Sequence, residues 1–272
     1  MNLSRDTLAG LETVVRQIEL ESTEPARRPE FQRFVAAVKR LTDIAVHLDP
    51  VAQPNVVFDP GNPQVMGRIT ALALVAQPRV PLGALTPFYG SGIYALYYHG
   101  DFPSYEPVSG SEVPLYVGKA EPQAAHARTP VEQGTRLHRR LTDHTRNIAL
   151  AENLSLDDFT CRYLVTASNW EGAAESHLID AFRPVWNHET RICYGFGKHG
   201  DSSRTRTNTR SPWDTLHPGR PWATTKSQRS PEEIHAEIVA HYHAMKIFRS
   251  EAEVIQWFVE SLSQVADTDI PD

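Results

Sequence analysis

The sequence is poor in cysteine: Cys161 and Cys193 are the only two among 272 residues, and they do not form a C-x-x-C pair. Zinc ribbons and disulfide-rich secreted domains depend on sets of closely spaced cysteines, so both classes are excluded. Such low cysteine usage is typical of a reducing compartment, and we expect the protein to act in the cytoplasm.

Long apolar runs are missing as well. No stretch approaches the roughly 18 consecutive apolar residues that cross a bilayer, so no membrane partner is expected. The opening stretch MNLSRDTLAGLETVV is amphipathic and contains acidic residues, which is not the composition of a signal peptide.

The whole chain also lacks the positive balance that is typical of a nucleic-acid-binding protein, since its net charge is -6. The charges are unevenly distributed, however. Residues 119–146 carry six Lys/Arg and three acids, residues 183–230 carry nine and three, and residues 231–272 carry two and nine. Because local fields steer ligands, the two basic blocks favour an anionic partner despite the total.

Apolar periodicity predicts the secondary structure. Ser230, Pro231 and Glu233 form a helix-start signature with a capping box. The expected helices cover 4–22, 30–48, 64–76, 134–152, 171–182 and much of 231–263, and the expected strands cover 92–98, 114–118 and 159–167. The order β-β-α-β-α in the middle of the chain predicts a small α/β or α+β core.

Two of these helices carry polar residues that need an explanation. Arg136, Arg140 and His144 are four residues apart on the helix over 134–152, so they form one ridge, for which a solvated basic face is the alternative. Glu175 lies on the same helix face as its apolar neighbours Leu178 and Phe182. A carboxylate there is either a rim glutamate in a salt bridge or a ligand for a hard divalent metal.

Tyrosines and an asparagine complete the set. Tyr94 and Tyr97 point to opposite faces of the strand over 92–98, so one core does not account for both, and some hydroxyls need a polar partner or a cleft. Asn187 follows the helix over 171–182, where a turn or cap role is the alternative. Cations, an inward carboxylate and phenols on adjacent elements suit phosphodiester hydrolysis.

At this point the sequence resembles the GIY-YIG nuclease superfamily. Its two name-giving motifs are present as Gly92-Ile93-Tyr94 and Tyr116-Val117-Gly118, and Arg140, Glu175 and Asn187 follow in the family's order. The segments PFYGSGIYALYY, PLYVGKA, AENLSLDDFTCRYLV, FRPVWN and RSPWDTLHPGRPWA look like the Type II restriction endonuclease branch that cuts CCGCGG. That branch also supplies His144, one turn beyond Arg140.

The resemblance implies a fold and a mechanism. The expected fold class is α/β (α+β), with a small antiparallel three-stranded sheet flanked by helices and helical extensions at both ends. Glu175 would hold Mg²⁺ or Mn²⁺, and Tyr94, or His144 acting with it, would activate water. Arg140 would stabilise charge on the phosphate, Tyr116 would fix geometry, and Asn187 would orient neighbouring groups.

The resemblance also implies partners. Double-stranded DNA is the expected substrate, bound by a homodimer because the site is palindromic, with a cognate methyltransferase as genetic partner. We expect DNA contacts from the insert over 120–135 and from the basic block 183–230, and a solvated loop is the alternative for this block. The candidates are Lys119, Arg136, Lys198, Arg204, Arg206, Arg210 and Arg220.

Domain boundaries and rival functions follow from the same pattern. We expect an N-terminal helical arm over 1–88, a catalytic core over 89–190, basic DNA-contacting loops over 191–230 and a helical extension over 231–272. The alternative functions are a repair or homing nuclease with the same catalytic module and a non-catalytic DNA-binding protein that retains the fold.

Overall fold

The computed structural model describes residues 3–22, 25–51, 59–167, 170–197, 210–225 and 227–263. The chain divides into two compact units, Met1–Pro54 and Asn55–Asp272. The first unit contains helices α1 (Arg5–Glu21) and α2 (Arg28–Leu48), both of which were predicted. Neither helix has a buried residue.

The second unit contains the sheet and the remaining helices. Its strands are β1 (Val80–Pro81), β2 (Gly92–Tyr98), β3 (Tyr116–Ala120) and β4 (Phe159–Val165). Its helices are α3 (Pro63–Val75), α4 (Pro130–Gln133), α5 (Arg136–Ala149), α6 (Glu171–Phe182), α7 (Pro212–Leu216), α8 (Pro231–His243) and α9 (Glu251–Ser263).

The sheet has the strand order β1-β4-β2-β3, and all its pairs are antiparallel. Every residue of β2 is buried, so both faces of the sheet are covered at this central strand. The predicted fold class is confirmed, and the three predicted strands form the body of the sheet. The fourth strand, β1, has two residues, which is too short for a period-two pattern to predict.

Two element boundaries differ from the predictions. The helix predicted over 134–152 is α5, which begins at Arg136 and ends at Ala149. The short helix α4 before it was not predicted, and Gly134, which adopts φ 73°, ends it. The strand predicted over 114–118 begins at Tyr116 and continues to Ala120. The Leu115 amide still donates to the Leu96 carbonyl at 2.8 Å, so the approach to β3 is already held against β2.

The helices pack around the sheet in a way that positions α5 and α6. Helix α6 contacts β2, β3 and α3, and α5 contacts β3. In the C-terminal part, the predicted capping box of Ser230 and Glu233 is present at the start of α8. Within the described ranges, no helix has the length and apolarity that crossing a membrane requires.

Candidate active site

The site is built on the pairing of β2 and β3. Tyr94 on β2 is fully buried and lies directly opposite Gly118 on β3. A Cβ atom at Gly118 would overlap the Tyr94 hydroxyl, so glycine at this position leaves room for the phenol. The two tripeptide motifs are therefore one structural feature, in which the second motif makes space for the tyrosine of the first.

Helix α5 brings two side chains to the Tyr94 hydroxyl. The hydroxyl lies 2.6 Å from His144 Nε2, and Arg140 Nε donates to the hydroxyl oxygen at 3.2 Å. Arg140 and His144 are one helical turn apart, so both reach the same atom from the same face. Because Arg140 can only donate, the single Tyr94 proton is directed to His144 Nε2 when that nitrogen is unprotonated.

The electrostatics keep Tyr94 neutral. Burial raises the pKa of Tyr94 well above the usual value of 10.0, and the Tyr116 phenol adds to the rise, while the Arg140 guanidinium opposes it. Burial also raises the pKa of Tyr116. Tyr94 is therefore a hydrogen-bonded phenol at neutral pH, and its oxygen can take up a proton only if a partner takes the phenolic proton.

A loop closes over His144 and Tyr116. The Phe196 ring stacks on the His144 ring at 4.5 Å with an interplanar angle of 17°, and it meets Tyr116 edge-on. A Cβ atom at Gly197 would lie 3.0 Å from the Tyr116 hydroxyl and 3.1 Å from Arg140 Nη2. Phe196 was not predicted from the sequence, where its only signal is an aromatic residue between two glycines at 195 and 197.

Glu175 on α6 faces a cleft of about 320 Å³. Its side chain is 22% exposed and lies 3.7 Å from Lys119 Nζ. Burial raises the pKa of Glu175 above its usual 4.5, Lys119 opposes this, and the carboxylate of Glu189 adds to it. The cleft is lined by Tyr116, Arg140, Glu175, Ile179, Trp186, Asn187, His188, Glu189, Tyr194, Gly195 and Gly197.

The donor set at Glu175 suits one hard cation. Within the described ranges, no group of three or more His, Cys, Asp or Glu side chains could hold a metal ion. Mg²⁺ keeps several waters and binds through one or two carboxylates together with substrate phosphates. A single half-buried carboxylate that opens into a cleft with Arg140 fits that mode of binding, while the contact with Lys119 leaves the salt-bridge alternative in place.

Asn187 has a structural role that is more specific than a turn or cap. Its Oδ1 accepts from the Val117 amide at 2.9 Å, and its Nδ2 donates to the Val117 carbonyl at 2.8 Å. It makes no side-chain cap to the 3-10 turn that follows it. Asn187 thus pairs with β3 as a neighbouring strand would, and it fixes the backbone between Tyr116 and Gly118.

A second cleft is also lined by Arg140. It measures about 340 Å³ and is lined by Lys119, Ala120, Glu121, Arg136, Arg139, Arg140 and Asp143. The structure thus brings the predicted DNA contacts Lys119 and Arg136 next to Arg140. Arg139 was not predicted, although its spacing of three residues from Arg136 places both on one side of α5.

The remaining predicted DNA contacts have different outcomes. Lys198, Arg204 and Arg206 lie outside the described residues. Arg210 is partly buried, and its Nε donates to the Ala223 carbonyl at 3.3 Å. The predicted DNA contact of Arg220 is wrong. Its side chain is 0% exposed and therefore does not reach DNA phosphates in this structure.

Arg220 instead holds the loop over the site. Its guanidinium pairs with Asp214 at 2.6 Å, lies 4.3 Å from the Trp213 ring centroid, and donates to the carbonyls of Gly195 and Phe196. Burial lowers the pKa of Arg220, and the Asp214 carboxylate opposes this. This role of Arg220 was not predictable from the sequence, because only the fold brings Asp214 and the loop carbonyls to the guanidinium.

We expect Arg220→Leu to destabilise the protein by about 3–5 kcal/mol, since it leaves the buried carboxylate of Asp214 unpaired. Denaturant unfolding measures the change. The double variant Arg220→Leu/Asp214→Leu should recover part of the loss, because no isolated charge remains. If Arg220→Leu kept wild-type stability and lost only DNA affinity, the buried ion pair would not have the role described.

Comparison with known proteins gives one family. Residues 86–242, more than half of the chain, match the family model of the Eco29kI GIY-YIG domain, which defines a restriction endonuclease family. A search of curated proteins finds no match. The match covers strands β2 to β4, helices α4 to α7 and helix α8 up to Tyr242, and so it includes every residue of the site described above. The predicted superfamily is thereby confirmed, and the chain belongs to the Eco29kI GIY-YIG family of restriction-type nucleases.

Proposed function

We propose that the protein is a Mg²⁺-dependent Type II restriction endonuclease that hydrolyses both strands of DNA at a short palindromic GC-rich site, CCGCGG by resemblance. The observation that carries the proposal is the Tyr94 hydroxyl, which lies between Arg140 Nε and His144 Nε2 at the centre of the site. Glu175 faces the cleft beside them.

In this proposal, Glu175 binds the metal. When bound there, Mg²⁺ or Mn²⁺ would neutralise charge on the scissile phosphate. Glu175 is the residue that would hold it, because the carboxylate opens into the cleft that Arg140 and Tyr116 also line. Lys119, which lies 3.7 Å from Glu175, would then contact phosphate.

Proton transfer involves Tyr94 and His144 as a pair. A neutral phenol is a poor base, and the burial that raises the pKa of Tyr94 makes its phenolate unfavourable at rest. We therefore propose a relay, in which Tyr94 passes its own proton to His144 Nε2 as its oxygen accepts a proton from the attacking water. The short Tyr94–His144 hydrogen bond supports this step, and it makes His144 the final proton acceptor.

In this proposal Arg140 contacts the phosphate, and Asn187 holds strand β3 in place. Arg140 donates to Tyr94 through Nε, and its guanidinium lines both clefts, so it can also donate to a phosphate as charge develops there. Asn187 acts through Val117 by holding β3, which carries Tyr116. It is a positioning residue in this proposal.

The DNA strand leaves the site along the cleft formed by Lys119, Arg136 and Arg139. Three positive side chains line one surface next to Arg140, and such surfaces supply sequence-independent phosphate affinity. Contacts to bases would then come from the basic block 183–230, including Arg210 and the residues at 198, 204 and 206. In this proposal, 89–190 is the catalytic core, 191–230 the DNA-contacting loops and 231–272 the extension. The predicted arm over 1–88 is shortened, because residues from Asn55 onward belong to the second unit, where α3 contacts α6.

The biological setting is part of the same proposal. A palindromic site calls for a two-fold homodimer on DNA, and a restriction enzyme calls for a cognate methyltransferase that protects host DNA. Both cysteines are free and buried, which is compatible with action in the reducing cytoplasm.

Mapping the fragment ends tests the recognition site. Unmethylated phage DNA is digested with the purified protein and Mg²⁺, and the ends are sequenced. We expect every end to fall within CCGCGG. Ends that share another palindrome would overturn the proposed site but keep the restriction-type assignment, whereas ends without a common sequence would overturn both.

A further inference from the structure

Three aromatic rings surround the imidazole of His144. Its centroid lies 4.5 Å from that of Phe196, 5.1 Å from that of Tyr116 and 5.4 Å from that of Tyr94. The imidazole itself is fully buried. Proteins bind organic cations in cages of aromatic rings, because the face of each ring carries partial negative charge. The surroundings of His144 are therefore those of a group that becomes a cation.

The three rings differ in how they meet the imidazole. Phe196 lies nearly parallel to it, at 17°, whereas Tyr116 is inclined at 65° and Tyr94 at 45°. Tyr94 contacts His144 through its hydroxyl, which lies 2.6 Å from Nε2. A cation is attracted to an aromatic ring when it lies over the face, within about 6 Å of the centroid. Phe196 is therefore the ring whose face a protonated His144 would contact.

The fold fixes Phe196 in this position. Its ring is fully buried and packs against Trp186, with the centroids 4.5 Å apart. Its carbonyl accepts from Asn147 Nδ2 at 3.2 Å and from Arg220 Nη1 at 3.2 Å. Asn147 lies three residues after His144 on α5, so the helix that carries the imidazole also holds the ring that stacks on it. Such a preorganised partner needs no rearrangement when charge develops.

The proposed relay creates charge on the imidazole. The attacking water gives a proton to the Tyr94 oxygen, and the proton that Tyr94 loses goes to His144 Nε2. The imidazole then carries a positive charge in a buried position, which costs free energy unless neighbouring groups stabilise it. Arg140, one helical turn away, is also positive and adds to this cost. A group that favours the charged imidazole over the neutral one therefore accelerates the transfer.

We propose that Phe196 is a positioning residue that stabilises the imidazolium form of His144 through the face of its ring. The inference rests on the proposed function, since the charge arises in the cleavage relay. The ring attracts the imidazolium more strongly than the neutral imidazole, so its effect is larger in the transition state than in the resting enzyme. Because the ring is fully buried, it acts through His144 and not by contact with DNA.

A role in packing alone is the alternative, because a buried ring beside Trp186 also contributes to the core. The two roles depend on different properties of the Phe196 ring. Packing depends on its shape and volume, whereas attraction of a cation depends on the electron density of its face. Fluorine atoms on the ring withdraw that density and change the shape little, so fluorinated phenylalanines separate the two roles.

Site-specific replacement of Phe196 by mono-, di- and trifluorinated phenylalanine tests the proposal. Single-turnover cleavage with Mg²⁺ in excess should slow with each added fluorine, reaching about 5- to 30-fold for the trifluorinated ring. DNA affinity measured in EDTA and the melting temperature should stay at their wild-type values. The same series at Phe182 is the matched control, since this buried ring packs against Phe248 and Phe258, and it should leave the rate unchanged.

The same series in His144→Ala identifies the group on which Phe196 acts. Cleavage there should be slow but equal for all the rings at position 196, because no imidazolium forms. Equal rates along the series with His144 present, or a decline that persists in His144→Ala, would overturn the proposal and leave the nuclease function in place. A protein that cleaves no DNA with phenylalanine at position 196 would overturn the nuclease function and this inference with it.

Discussion

Glu175→Gln should abolish DNA cleavage and at the same time stabilise the metal-free protein. The loss of activity, on the order of 10³-fold or more, follows from removing the group that holds the cation at the phosphate. The gain in stability follows from burial, which raises the pKa of the Glu175 carboxyl despite the opposing charge of Lys119. The charged form is therefore disfavoured in the folded protein, and neutral glutamine removes that cost.

The direction of the Glu175 pKa shift determines how the stability difference between wild type and Glu175→Gln changes with pH. A carboxyl whose folded pKa is raised favours folding while it is protonated, and that contribution is lost as pH rises through the folded pKa. The melting temperatures of wild type and Glu175→Gln should therefore agree in acid and separate as pH rises above the usual glutamate pKa of 4.5, with the variant more stable. Thermal denaturation over a pH series measures the difference.

Metal binding gives a second readout of the same residue. Mg²⁺ should raise the melting temperature of wild type and leave that of Glu175→Gln unchanged, because a ligand stabilises only the state that binds it. Glu121→Gln is the matched control. Glu121 also lies close to Lys119, at 3.3 Å, but it is 70% exposed, so its variant should keep both cleavage and the response to Mg²⁺. Full activity in Glu175→Gln would show that the metal is held elsewhere.

Tyr94→Phe and His144→Ala should each slow cleavage by about 10²–10⁴-fold, and the double variant should be no slower than the worse single one. The reason is the relay, in which both side chains move one proton and the loss of either ends the transfer. Single-turnover cleavage with Mg²⁺ in excess measures the three rates.

Tyr97→Phe is the control for this double-mutant cycle. Tyr97 is equally buried, but it points to the other face of β2, where Arg79 lies 4.0 Å from its ring centroid. Its variant should cleave at the wild-type rate. If the effects of Tyr94→Phe and His144→Ala multiplied in the double variant, the two residues would act in separate steps and the relay would be wrong.

Local patterns predicted most of the core fold. The strand over 92–98 and the helix over 171–182 have the predicted limits, because an aromatic and β-branched run and an apolar helical face are both local signals. Gly134 was a local signal too, but it was predicted as the first residue of a helix, whereas its positive φ ends the short helix α4. The two-residue strand β1 depends on pairing with β4, which no local pattern encodes.

Only the part of the candidate site that depends on local spacing was predicted from the sequence. Arg140 and His144 were predicted as one ridge because helical spacing alone places them together. The bonds from Asn187 to Val117 span 70 residues, and the stacking of Phe196 on His144 joins elements that are distant in sequence. Arg220 was misassigned because a surface arginine and a buried one look alike until the position of Asp214 is known.

Cleavage of a supercoiled plasmid with one CCGCGG site tests the central claim most directly. The protein is incubated with the plasmid in Mg²⁺ and in EDTA, alongside Glu175→Gln and a plasmid without the site. The account predicts linear DNA only for wild type, only in Mg²⁺ and only with the site present. Intact plasmid in both Mg²⁺ and Mn²⁺, or cleavage that persists in EDTA, would contradict a metal-dependent nuclease centred on Tyr94, Arg140 and Glu175.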